Sequence, residues 1–266
     1  MAEGQWSPGR AERDETEFRP ALDIVEPPRQ RRLTVLLRLL MLIPHFIVLF
    51  FLHIAAFFTV VFGWFAALAL GRLPDPVFRF LTGVLGYDMR VSASDMLLID
   101  RYPPFALTPP ADYPARIEVR PTPLNRLAVL FRIFLMIPAA IVQSLAVYGW
   151  WALGFVWWVI TLALGRMPKP LFEATAATLR YRMRFTAYAM MLTPAYPKGL
   201  FGDDAFTAER EARRSSTRPL VMSAAAKWLV VLFLVLGLAG NVTSSVTTSW
   251  SDEPKDDTRL VEPLAP

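Results

Sequence analysis

Few side chains in this chain have the type and spacing to do chemistry. The only histidines, His45 and His53, lie eight residues apart inside one apolar run. Eight helical positions set them about 80° apart around the axis, and a metal would need further ligands that the neighbouring sequence does not supply. There is no cysteine, which excludes disulfides, thiolate metal sites and cysteine nucleophiles. The sequence has no phosphate-cradling glycine loop, dinucleotide glycine fingerprint, GxSxG elbow or HExxH pair. Carboxylates, the usual mark of an intramembrane proton or ion relay, are missing from both long apolar runs. No catalytic, cofactor-binding or metal-ligating residue is expected, and the chain reads as a non-enzyme without cofactor.

The remaining candidates are arginines. Lys and Arg number 28 against 23 Asp and Glu. They flank apolar runs instead of forming one stripe, which points to membrane topology and anionic headgroups and away from nucleic acid. Arg72 and Arg166 follow the two apolar runs inside Gly-Arg-x-Pro-x-Pro (Gly71, Pro74, Pro76; Gly165, Pro168, Pro170). A guanidinium there could hold a lipid phosphate; the plainer alternative is a snorkelling anchor beside a chain reversal. Arg38 and Arg132 stand in the first turns of the runs, in reach of the same headgroups by snorkelling.

The elements that position these residues occur twice. Shifted by 94 residues, Arg126–Pro197 falls on Arg32–Pro103 without a gap, with 27 of 72 positions identical. That is one structural unit duplicated in tandem. Pro44 matches Pro138 and Tyr87 matches Tyr181, but His45 falls on Ala139. Each unit carries 32 uncharged residues, apart from the histidines, at Leu39–Leu70 and Ile133–Leu164. A helix needs about 20 residues to cross some 30 Å of hydrocarbon. Extended back to Leu33, the first run allows a hairpin of two tight helices, with the proline kinking the first; the rival is an interfacial helix followed by one tilted span. Lys and Arg number 7 in residues 1–38, 8 in 71–132, 11 in 165–227 and 2 in 243–266. The positive-inside rule then favours hairpins, an inside N-terminus, an outside C-terminus and an inside loop at Pro103–Leu124. A unit that returns to its starting side relates the two copies by a pseudo-two-fold axis along the membrane normal.

After each run the prolines open a new helix, Pro76–Ile99 and Pro170–Leu192, expected to lie at the interface between lipid and protein. Three charges reverse between the copies: Asp75 to Lys169, Arg79 to Glu173 and Asp88 to Arg182. The first two reverse together and read as compensated i,i+4 pairs; the third has no local partner and is either an inter-repeat pair or chance, with chance the preferred reading. Ala21–Glu26 and Ala115–Arg120 suit short edge strands that could pair. The expected organisation is a disordered cytoplasmic tail over 1–19, repeats over 20–103 and 114–201, and a linker over 104–113. A basic cytoplasmic linker over 202–223, a transmembrane helix over 224–242 and a disordered outer tail over 243–266 follow. The fold class is an all-α multi-pass protein of the cell membrane.

The repeated pattern RLxVLxRxxxxIPxxIV…LxLGRxPxPxF…Y…YP resembles the bacterial domain of unknown function 4389 family, in two copies over Pro20 to about Phe201. The resemblance implies an integral membrane protein and carries no activity. The histidine after the proline, usual in that family, survives only as His45. Two functions fit. One is a scaffold or accessory subunit binding membrane lipids or a partner membrane protein. The other is a small transporter or lipid-handling protein with its pathway between the repeats.

Overall fold

The stretch 46–62 holds no Gly, Pro, Asn or Asp that could turn the chain, and Arg32–Leu70 folds as one unbroken 39-residue helix, α1. The hairpin expected inside this run does not form, because Pro44 sits within the helix and nothing after it reverses the backbone. At 1.5 Å per residue, α1 is about 58 Å long. Its buried residues, Val35, Arg38, Leu42, His45, Leu49, Ala56, Gly63 and Ala67, fall three, four or seven apart. They form one narrow seam, while most of the remaining circumference is apolar and exposed, as at Leu40, Phe50, Phe57 and Phe62.

The computed structural model describes residues 18–203, 215 and 217–251. In chain order its elements are β1 (Ala21–Ile24), α1, α2 (Asp75–Asp95), β2 (Ala115–Glu118), α3 (Arg126–Leu130), α4 (Arg132–Ala152), α5 (Gly154–Leu164), α6 (Lys169–Ala189) and α7 (Ala224–Ser251). The expected tails over 1–17 and 252–266 and most of the basic linker lie outside the described residues. The last helix continues through Ser251, nine residues past its expected end.

Gly71 and Gly165 end the two apolar runs with φ of 71° and 65°, a left-handed turn that glycine adopts without strain. Pro74 and Pro168 occupy the cap positions of α2 and α6. Helix α2 then runs back along α1: Val77 lies at Gly63, Tyr87 at His45 and Ser94 at Arg38. The return leg of the unit is therefore α2. Protein covers most of it: from Leu81 to Ser94 nearly every residue is buried, and α6 is buried throughout Leu171–Tyr181.

The second copy differs where its sequence differs. Its run breaks at Phe131 and at Leu153, and Gly154 takes the place of Val60 at the second break. Helix α7 packs antiparallel on α4, with Gly149 under the Phe233 carbonyl and Gly237 under that of Leu145. Two glycines let the backbones approach closely.

Contacts between the units occur twice with the roles exchanged. The Gln30 N–H donates to Gly165 O at 2.8 Å, and the Leu124 N–H to Gly71 O at 2.8 Å. Trp158 Nε1 donates to Val35 O at 2.9 Å, and Trp64 Nε1 to Val129 O at 3.1 Å. Strands β1 and β2 pair antiparallel, Ala21 with Glu118 and Ile24 with Ala115, as the two short segments allowed. Every one of these residues is the 94-residue equivalent of its counterpart, the signature of a two-fold axis through the strand pair.

Candidate functional site

Polar chemistry is concentrated where α2 and α6 meet. Asp88 and Arg182, at the same position of the two units, form an ion pair at 3.1 Å. Arg182 also donates to Ser92 Oγ at 3.1 Å. The third charge reversal is thus an inter-repeat bond and not chance. The first two are not the local pairs expected: among the described residues no ion pair joins Asp75 to Arg79 or Lys169 to Glu173. Glu173 instead turns inward and accepts from the Ser223 N–H at 2.8 Å and its hydroxyl at 2.7 Å, fixing the start of α7. Asp203 takes Arg180 at 2.6 Å. Burial pushes its carboxyl up, but Arg180, the Leu220 N–H and Arg184 together hold it below the ordinary value.

The four candidate headgroup arginines divide. Arg72 and Arg166 are exposed at the ends of the apolar helices. Arg38 and Arg132 are only 3% and 4% exposed and do not snorkel. Arg38 donates to Ser94 O at 2.8 Å and approaches Asp100 at 3.5 Å. Arg132 donates to Thr193 O at 2.7 Å and stacks over the Tyr188 ring at 4.1 Å. Folding spends these guanidinium groups on the chain's own carbonyls, which need donors at the end of α2 and just beyond α6.

Arg38 also lines a cavity of about 370 Å³ between the units. One wall comes from the first unit, with Leu36, Leu39, Asp95 and Leu97; the other comes from the α4–α5 bend, with Trp150, Trp151, Gly154, Phe155 and Trp158. Two buried polar atoms here have no partner among the described residues, Arg38 Nε and Asp95 Oδ1. Burial raises the Asp95 carboxyl to about 6, against the pull of Arg182 and Arg38. An apolar, aromatic cavity with two convergent polar groups suits an amphipathic small molecule. Sequence reasoning missed it, since no periodicity reports a bend at Leu153.

His45 is fully buried. Its Nδ1 lies 2.6 Å from the Tyr87 hydroxyl, and its ring stacks on Phe105 at 4.0 Å with Tyr102 beside it. It is packed by aromatics, far from His53, which is exposed on α1. The described residues contain no group of three or more His, Cys, Asp or Glu placed to hold a metal ion. Tyr181, the equivalent of Tyr87, is also buried, but the equivalent of His45 in its unit is Ala139.

The family model for the domain of unknown function DUF4389 matches the chain twice, over residues 32–106 and 126–200. No curated protein and no solved structure matches.

Proposed function

We propose, on the premise that this chain belongs to the DUF4389 family in two tandem copies, that it is a non-enzymatic membrane protein. In this reading it is a scaffold or accessory subunit binding lipid or a partner membrane protein. One observation carries it: α1, α4 and α7 are apolar helices of 18 or more residues whose surface is mostly uncovered by the protein itself. A water-soluble protein rarely exposes contiguous apolar patches beyond a few hundred Å². The exposed Arg72 and Arg166 beside these helices suit headgroup contact. Purification in mild detergent, followed by identification of co-purifying lipids and proteins, tests this. Stoichiometric lipid or a recurrent membrane partner is expected; a chain that leaves the membrane fraction without detergent and carries neither would refute it.

A lipid-handling role is favoured by the cavity between the units, which would seat one amphipathic molecule against Arg38 and Asp95. In that reading the bend at Leu153 supplies the entrance from the apolar exterior, since Leu36, Leu39, Trp151 and Phe155 are all exposed.

A further inference from the structure

Helix α1 is long enough to cross a bilayer nearly twice over, yet the placement of charge argues against a crossing. The molecule is layered. Helices α1, α3, α4, α5 and α7 touch neither strand, whereas β2 packs on α2 and β1 on α6. The strands and the loop after α2 carry the exposed charges Arg101, Asp112, Arg116 and Arg120. Apolar helices thus form one outer layer, α2 and α6 the middle, and the charged strands and loops the other side.

The charged layer also lies alongside α1, inward of its two ends. Tyr87 meets His45, Asp88 joins Arg182 on the two-fold axis, and Tyr102, next to Arg101, donates to Met41 O at 3.1 Å. The contacts at Val35–Trp158 and Trp64–Val129 make α1 antiparallel to the α3–α5 arch, with the axis near the midpoint of both. If α1 stood along the membrane normal, its middle would sit at the bilayer centre. Arg116 and Arg120 would then lie in hydrocarbon, where each arginine is strongly unfavourable. Its excess length over the hydrocarbon would be unmatched as well.

We propose that the long helices lie along one leaflet instead of crossing the bilayer. The two-fold axis then points along the membrane normal, and the strands and charged loops face water. A helix about 10 Å across fits within half of a 30 Å hydrocarbon layer. Here the protein's own middle layer takes the place of the polar face that an isolated in-plane helix needs. Arg72 and Arg166, at opposite ends of the apolar layer, sit at one depth beside the headgroups. The surface fits a single leaflet as its partner, and the inference rests on the membrane reading above.

The cysteine-free chain allows a direct test in sealed vesicles of known orientation. Arg29→Cys and Arg72→Cys bracket α1 at exposed positions, and Pro123→Cys and Arg166→Cys bracket the second run. An impermeant thiol reagent should label all four from the same face. Labelling of the two ends of either run from opposite faces would overturn the proposal and establish a crossing. So would protection of one end from both faces when detergent restores its reactivity. Failure of the membrane reading looks different: the chain would separate from vesicles in alkaline carbonate, and all four positions would react without vesicle dependence.

Discussion

Asp88 and Arg182 are 94 residues apart, hold the same position in the two units and form a 3.1 Å ion pair with each other. A residue on a two-fold axis meets its own copy, so identical charges there would repel. Duplication of the unit required one copy to change sign, or both to become neutral. The two sites are equivalent in the repeat, although the Asp88 side chain is 7% and the Arg182 side chain 29% exposed.

That equivalence makes a prediction. Asp88→Arg or Arg182→Asp alone places like charges together in a mostly buried site and should cost about 3 kcal/mol. The double exchange, Asp88→Arg with Arg182→Asp, should recover most of the loss. Thermal unfolding in detergent measures it; a double exchange no more stable than the worse single variant would remove the axial pairing.

Much of this architecture was legible in the sequence, but unevenly. The 94-residue repeat and the glycine stops at Gly71 and Gly165 followed from local pattern, while Ala21–Glu26 and Ala115–Arg120 showed only that they could pair. The hairpin did not follow, because the 38 residues from Leu33 to Leu70 support one helix as well as two, and only the buried seam distinguishes them. The arginine census also misleads: Arg90 and Arg132 are spent on carbonyls, and Arg101 and Arg120 face Asp112 and Glu118. Topology rules count arginines as free charges in short loops, not as parts of a folded layer. The Asp88–Arg182 reversal was visible, but its meaning needed the axis.

The docking of α7 depends on two glycines. A Cβ on Gly149 would lie 1.7 Å from the Phe233 oxygen, and one on Gly237 would lie 2.1 Å from that of Leu145. Gly149→Leu should separate α7 from α4, seen as loss of a disulfide engineered across that interface. Ala55→Leu, at the equivalent but exposed position of α1, should leave the fold intact. Unchanged cross-linking in Gly149→Leu would contradict the close packing.

Asp95 sets a pH dependence. Its folded carboxyl titrates near 6 because burial disfavours the charge, while the unfolded group titrates near 3.9. The folded state therefore holds the extra proton between those values, and this group's contribution to stability declines as pH rises from about 4 to 6. Asp95→Asn should be more stable than the parent at pH 7, on the order of 2 kcal/mol, with the difference fading toward pH 4. A pH-independent difference would show that Asp95 is not the titrating group.

The cavity predicts a lipid phenotype. Leu39→Trp enters it from an exposed position and should reduce retained lipid in native mass spectrometry without lowering the unfolding temperature. Retention equal to the parent would detach lipid binding from this cavity.

The depth of α1 in the bilayer can be measured directly. Nitroxide labels at Leu33→Cys, Phe51→Cys and Leu70→Cys, all exposed on α1, report depth by relative access to oxygen and to a water-soluble nickel chelate. Reconstituted protein should give three similar depths within one leaflet, with oxygen favoured at each. A steep gradient, with Phe51 deepest and the two ends near opposite surfaces, would mean that α1 crosses; nickel access at all three would mean that it is not in the membrane at all.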